Sequence, residues 1–292
     1  MNRIIIDRDK DLSYEVNSPA RKAVNAVLIP ILNALPVGIR PYLKMSHKSG
    51  KEIIENVTSH KALEVLYGYS SSAKSRAKPV QRFFRSIWLN TNNSKAVRNR
   101  LKLVRRELKS ELSRLAAEKK EIKMLSIASG SAHAVMESTA EISAGNTSVS
   151  VTFVDKNPSA IAHSKEISKD HPHRQSFRWV EGSATEFFDL HAKGETFNVV
   201  EIVGLIDYFD DEKAVRMFSR IYKALDPGGM LITANISDNK ERPFITKAVG
   251  WNMIYRSADE LVRVLKSSGF EEGKMSVYYE PQGIHCVVIA RK

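Results

Sequence analysis

Asp155 is the acid in this chain best placed for chemistry. It closes an apolar run, Val149 to Val154, and lies downstream of a stretch of small residues, Ala128-Ser-Gly-Ser-Ala132. A carboxylate at the end of a strand can accept from both hydroxyls of a ribose, and small side chains let a ligand approach the backbone. The elements needed to position them are present. Met124, Leu125 and Ile127 form a short apolar run, the mark of a strand buried on both faces. Val135, Met136 and Ile142 then recur at helical spacing, and Val149 to Val154 supplies a second strand. Strand, small-residue turn, helix, strand and acid make a dinucleotide-type βαβ unit over residues 122–155.

Other candidates follow along the chain. Ser183, in Val180-Glu-Gly-Ser-Ala-Thr185, is either a ligand contact or a simple loop and N-cap. Phe197 to Val203 reads as a strand, and its tip leads into Asp207 and Tyr208. Open α/β sheets place chemistry at such tips. Asp210-Asp-Glu212 suits the cap of the next helix, and Glu201 lies mid-strand without an evident role. Trp251 and Tyr255, four apart, would share one helical face as pocket wall or core, and Arg256 could pair a carboxylate or form a surface ion pair. His133 is a candidate base or substrate ligand, or merely a hydrogen-bonded helix start. His171-Pro-His173 has no partnering Cys or acid cluster, so no metal is expected.

From Ile122 onward strands and helices alternate. Strands are predicted near 122–128, 149–155, 176–181, 197–203, 229–236, 273–280 and 284–291, with helices near 131–143, 157–169, 211–225 and 257–268. Such alternation predicts a mostly parallel sheet covered on both faces. The last two strands, separated by Pro281-Gln-Gly283, must form an antiparallel hairpin. Residues 1–120 lack strand alternation and read as an all-helical N-terminal domain ahead of an α/β domain over 121–292. Ser18-Pro19 opens a helix to about Leu35, a second runs from about Ser49 to Tyr67, and Pro79 to Leu89 is an aromatic-rich segment with Phe83, Phe84 and Trp88. A fourth helix carries Val97, Leu101, Val104, Leu108, Leu112 and Leu115 on one stripe, with Arg98, Lys102, Arg105, Arg106, Lys109 and Arg114 on other faces.

Of the 292 residues, 42% are hydrophobic and 27% charged, as in an ordinary globular protein with ample core. A lone cysteine, Cys286, excludes a disulfide framework. The charged start and the Pro-broken Ala26–Ile39 run fit neither a signal peptide nor a transmembrane span, so a cytoplasmic protein is expected. Residues 1–120 hold 25 Lys and Arg against 10 Asp and Glu, a net of +15, whereas the whole chain carries +12. That excess suits either an anionic partner, such as RNA or an acidic carrier, or a set of solvated helix faces.

The 122–155 unit resembles the S-adenosylmethionine (SAM) site of class I methyltransferases, whose first loop usually reads acid-x-Gly-x-Gly-x-Gly. Here Ser126 stands at the acid, and Ala128 and Ala132 at glycines; Gly130 alone remains. Ala128 and Ala132 are therefore expected in ordinary backbone regions. Leu225-Asp-Pro-Gly-Gly-Met-Leu-Ile-Thr233 matches the family's turn into strand five. The resemblance spans about residues 122–292 and implies a seven-stranded Rossmann-like sheet. It implies a cofactor site at Ala128, Ser129, Gly130, Asp155, Lys156, Ser183, Ala184, Ile202, Val203 and Gly204. Asp207, Tyr208, His133 and Arg256 would orient substrate beside Trp251 and Tyr255.

Ala96-Val-Arg-Asn-Arg100, Gly204-Leu-Ile-Asp-Tyr-Phe209 and Trp251…Ile254-Tyr-Arg256 also resemble bacterial methyltransferases that make hydroxy-fatty-acid methyl esters. That implies methyl transfer to the carboxylate of an acyl-type small molecule. The alternatives are an RNA methyltransferase using the basic helical part, and a catalytically silent binder, since two loop glycines and the adenine acid are missing.

Overall fold

A computed structural model of the protein describes residues 4–57, 59–68, 88–118, 121–142, 147–192 and 194–292. The chain opens with β1 (Ile4–Ile6), followed by α1 (Pro19–Asn33), α2 (Arg40–Ser46), α3 (Lys48–Glu55), α4 (His60–Tyr67) and α5 (Asn92–Glu118). An α/β succession follows: β2 (Glu121–Ile127), α6 (His133–Ala140), β3 (Ser148–Asp155), α7 (Pro158–Ile167), β4 (Phe177–Glu181) and β5 (Phe197–Val203). It ends with α8 (Asp211–Ala224), β6 (Leu225–Ile236), α9 (Ala258–Ser267), β7 (Met275–Tyr279) and β8 (His285–Arg291).

The strands form one sheet in the order β1-β7-β8-β6-β5-β2-β3-β4, in which β8 alone runs against the rest. All seven expected strands are present, with the hairpin at the end of the chain. The eighth, β1, pairs parallel with β7 at the sheet edge. A run of only three residues carries no readable alternation, which is why the N-terminal part reads as helical throughout. Strand order reverses between β2 and β5, so the C-terminal ends of these two strands diverge and open a crevice.

Local chemistry explains most boundaries. Ser18 caps α1 ahead of Pro19, and Ser257 and Glu260 form a capping box on α9. The helix expected over Ser49–Tyr67 is two helices. Asn56 leaves helical backbone, and the Ser59 hydroxyl accepts from the Lys61 N–H to start α4 afresh. At Pro227-Gly-Gly229 a Cβ on Gly229 would lie 2.9 Å from the Asp226 carbonyl, so only glycine allows this approach. The aromatic segment expected over 79–89 lies outside the described residues except for Trp88 and Leu89.

Apolar packing falls into three main regions and a small fourth cluster of Ala96, Ile236 and Ile284. One face of the sheet packs against α8 and α9 through Phe218, Ile221, Leu261 and Leu265. The other packs against α5 and α6 through Leu103, Leu108, Leu112 and Val135. Burying each such side chain stabilises by roughly 1.5–3 kcal/mol. The third cluster lies beyond the strand tips. There Leu32 of α1, Leu43 of α2, Ile53 of α3 and Leu66 of α4 meet Trp88, Val97 and Phe244 to form a roof. Among the described residues no single helix is long and apolar enough to cross a membrane.

The 27-residue α5 joins roof to sheet. Its basic side chains are engaged within the chain. Arg98 pairs with Glu15, Arg105 with Glu137 and Glu141, Arg106 with Asp7 and Asp9, Lys109 with Glu141, and Arg114 with Glu111 and Glu118; Lys102 donates to the Ser13 carbonyl. This row of cations is therefore not a free phosphate-binding face.

The N-terminus of α5 is docked from a distance. Glu241 accepts from the Asn92 and Asn93 N–H groups at 2.8 and 2.9 Å and from Asn93 Nδ2 at 2.7 Å. A carboxylate here satisfies orphan donors and favours the positive end of the helix dipole. Replacing Glu241 by Ala should lower stability by about 2–3 kcal/mol in urea unfolding, the loss of a charge-assisted cap with its donors left buried.

Candidate functional site

The crevice at the tips of β2 and β5 is continuous with a cavity of about 650 Å³ under the roof. On one side lies the loop after β2. Ala128, Gly130 and Ala132 have φ of 52°, 53° and 54°. The expectation that both alanines keep ordinary backbone is therefore wrong. Left-handed alanine costs roughly 1–2 kcal/mol, and the loop is held there by hydrogen bonds. Ser129 N–H donates to the Val154 carbonyl, Ala132 N–H to the Ser129 carbonyl, and Gly130 N–H to Asp155 Oδ2 at 2.8 Å.

Asp155 also accepts from the Asn157 N–H at 2.8 Å through Oδ1. Two bonds leave its carboxylate with further lone pairs, and it lines the cavity together with Lys156 and Asn157. Ala128, Gly130, Ser183, Ala184, Val203 and Gly204 line it as well. Two expected members do not. Ser129 is buried beneath the loop, and Ile202 points into the core shared with α8 and α9, as alternation along β5 requires. The Ser183 hydroxyl caps a short helix by accepting from the Glu186 N–H, so the N-cap reading of that position holds.

The substrate-side expectations divide. Asp207, Tyr208 and Trp251 line the cavity. Trp251 Nε1 donates to the Tyr208 hydroxyl at 2.6 Å, and burial pushes the Tyr208 phenol up to about 12. Asp207 is buried and its Oδ1 accepts from the Ile236 N–H, so it also fastens β5 to β6; burial raises its pKa.

Arg256, His133 and Tyr255 lie outside the cavity lining. The Arg256 guanidinium is saturated by Asp211, Asn235 and the carbonyls of Ile206 and Phe209, which makes it a strap under the β5 tip. His133 is bonded to Glu64 of α4. Residues 251–256 are not helical, so Trp251 and Tyr255 share no helix face. Of the other histidines, His171 bonds the Met136 carbonyl and His173 the Ile142 carbonyl.

The chamber contains residues that no sequence motif marks. Its walls are apolar, with Ile53, Leu63, Leu66, Trp88, Val97 and Phe244 among them. Gly50 lets α3 press against Trp88, since a Cβ there would fall 2.4 Å from the indole nitrogen. Polar side chains break this surface at His60, Thr91, Asn93 and Ser94 and, beside the β5 tip, at Arg100 of α5 and His285 of β8. The last two are buried, and Arg100 Nε and His285 Nε2 have no hydrogen-bond partner. Arg100 Nη1 lies 3.5 Å from His285 Nδ1. Burial opposes the arginine's charge, but Tyr67 and Asp207 offset it and the net direction is upward. His285 is driven well below its ordinary value by burial and by Arg100, so it is neutral.

One signal for Arg100 is present in the sequence. It lies three residues after Val97 and four before Val104, on the buried stripe of α5, where a charge is out of place. His285 has none, because it stands in a strand that is buried along its length. Gly204, with φ of 94°, brings the β5 tip near the guanidinium; a Cβ there would meet Arg100 Nη2 at 4.0 Å.

A family model described as "Putative methyltransferase" matches residues 45–292. The chain belongs to this methyltransferase family. No curated protein matches it. Two solved structures share the methyltransferase's fold over most of its length. One, described as a possible exported protein from Bordetella parapertussis, is 15% identical with a TM-score of 0.67, covering 95% of this chain and 99% of that one. The other is magnesium protoporphyrin IX methyltransferase from Synechocystis PCC 6803 with bound SAH, 11% identical with a TM-score of 0.56, covering 84% and 99%. At such identities the likeness is one of fold.

Beneath the methyltransferase's first loop, Ser126 Oγ donates to Glu201 Oε2 at 2.6 Å across β2 and β5. Burial raises the Glu201 carboxyl to about 7 from an ordinary 4.5. The folded state thus binds this proton more tightly than the unfolded chain. The resulting stability is complete below about pH 4.5 and is lost as pH rises through about 7. Across that window the loss should reach about 3 kcal/mol, since each tenfold difference in proton affinity is worth about 1.4 kcal/mol. Glu201→Gln should flatten this slope in unfolding curves recorded from acid to slightly alkaline pH. Ala132→Gly, which relieves left-handed strain against a higher unfolded-state entropy, should raise stability by up to about 1 kcal/mol.

Proposed function

We propose that the protein is a SAM-dependent methyltransferase acting on the carboxylate of an acyl-type small molecule. The observation that carries this reading is the pair of orphaned polar groups, Arg100 Nε and His285 Nε2, in a buried apolar chamber continuous with the β2–β5 crevice. A buried guanidinium with a free donor fits a carboxylate, and the surrounding hydrocarbon fits an acyl chain.

The crevice suits the cofactor on the chemistry of its donors. Asp155 presents spare lone pairs for ribose hydroxyls, and the left-handed turn at Ala128 and Gly130 keeps side chains away from the backbone. Val203 and Gly204 line the route from this turn to Arg100. When bound, SAM supplies an electrophilic methyl group on a sulfonium.

The chain's own task is then to hold and desolvate the acceptor. A carboxylate is ionised at neutral pH and needs no general base. Arg100 fixes its position, and neutral His285 donates or accepts without adding charge. Trp88, Phe244 and Trp251 exclude water, which strengthens the ion pair with Arg100. Tyr208, locked by Trp251, is a further donor in reach of the same chamber. Orientation and desolvation supply most of the rate enhancement in this scheme.

The experiment is calorimetric titration with SAM and SAH, followed by an assay for methyl esters with long-chain fatty acids as acceptors. Wild type should bind the cofactor at micromolar concentration, and Asp155→Ala should weaken it at least tenfold. Arg100→Met should leave SAH affinity within about threefold but lower kcat/KM for the acid by about 30- to 1000-fold, the loss of a buried charge partner. Failure of wild type to bind SAM would overturn the enzyme reading. Normal turnover by Arg100→Met would overturn the carboxylate site.

A further inference from the structure

Three side chains of metal-ligand type meet at the flank of the first loop, outside the chamber lining. Glu64 comes from α4 in the roof, His133 opens α6 just after the loop, and His163 stands on α7. His133 Nε2 lies 2.9 and 3.2 Å from the two Glu64 oxygens, and His163 Nε2 lies 3.7 Å from Glu64 Oε2. The three ligand atoms are all within 4.8 Å of one another.

A hydrogen bond between His133 and Glu64 explains that pair. It does not explain His163, whose Nε2 is buried, faces the same carboxylate and makes no hydrogen bond. A buried ring nitrogen without a partner costs about 1–3 kcal/mol. A common ion would remove that cost.

We propose that Glu64, His133 and His163 bind a divalent first-row transition metal ion of the zinc class, with one coordination position left to water. Two imidazole nitrogens and one carboxylate oxygen suit zinc and its neighbours, whereas magnesium and calcium prefer oxygen throughout. Ligands about 2.1 Å from one zinc ion can be at most about 4.2 Å apart, so small side-chain rotations close the cluster. Ser131, in the loop itself, is hydrogen-bonded to Glu64 and orients it.

The ligands come from both sides of the crevice. Glu64 belongs to the roof, while His133 and His163 belong to helices flanking the sheet. A Cβ on Gly130 would lie 3.6 Å from His60 Cβ, so α4 already rests on the loop. The ion fastens it there. Metal binding thereby couples closure of the roof to the loop that carries Gly130.

The test uses the full chain, loaded with Zn2+, dialysed, and analysed by elemental mass spectrometry and by competition with a chromophoric chelator. One ion per chain is expected, held at least 100-fold more tightly than in His163→Ala or Glu64→Gln, with exposed His191→Ala unchanged. Co2+ should give the visible spectrum of a four-coordinate site in wild type and not in His163→Ala. Circular dichroism establishes that the variants are folded. Substoichiometric zinc in wild type, or equal zinc affinity in folded His163→Ala, would overturn the site. Neither result depends on methyl transfer.

Discussion

A guanidinium leaves water only if its surroundings replace the solvation it loses, and that constraint organises this molecule around Arg100. The desolvation penalty is several kcal/mol even after relaxation. Tyr67 from the roof, hydrogen-bonded to it, and the Asp207 carboxyl from the β5 tip offset it, and His285 from β8 stands beside it. These four residues lie far apart in sequence and belong to different elements, so the chamber exists only when roof and sheet are assembled together. This explains why α5 spans both. Its first turns carry Arg100 and the Glu241-docked terminus, and its later turns bury Leu103, Leu108 and Leu112 on the sheet.

The first loop shows the same dependence on its neighbours. It lacks the usual glycines yet keeps the left-handed backbone that glycines would allow. The strain at Ala128 and Ala132 is held by hydrogen bonds to Asp155 and to backbone carbonyls, not by side-chain freedom. At Ser126, where the family commonly has an acid, the hydroxyl is joined to Glu201 on the neighbouring strand. Its carboxyl is buried and does not line the cavity.

Much of this fold is written in local pattern. Strands β2 to β8 and helices α6 to α9 follow from apolar runs, Ser and Asn caps, and the Pro-Gly-Gly turn, because each signal lies within a few residues of its effect. Asp155 is legible for the same reason. What cannot be read are features made by long-range closure. Arg256 has the chemistry of a substrate ligand, but Asp211, Asn235 and two carbonyls saturate it. Tyr255 stands at helical spacing from Trp251 where no helix forms, since nothing in that spacing marks the irregular backbone of 251–256. The Glu64, His133 and His163 trio joins residues in three elements at no recognisable spacing.

The N-terminal charge illustrates the limit of composition as an argument. A net of +15 over residues 1–120 suggests an anionic partner. Yet all six cations noted on α5 are engaged by carboxylates or a carbonyl of the same chain, Arg105 and Lys109 by Glu137 and Glu141 and the others by residues before 120. Surface ion pairs of this kind are individually worth under about 1 kcal/mol, so they do not hold the roof by strength. Their consequence is orientation: opposite charges on α5 and at Glu137 and Glu141 favour one register of α5 beside α6 and disfavour others by like-charge contact. The apolar clusters supply the affinity of that docking, and the ion pairs select the alignment that brings Arg100 beneath the β5 tip.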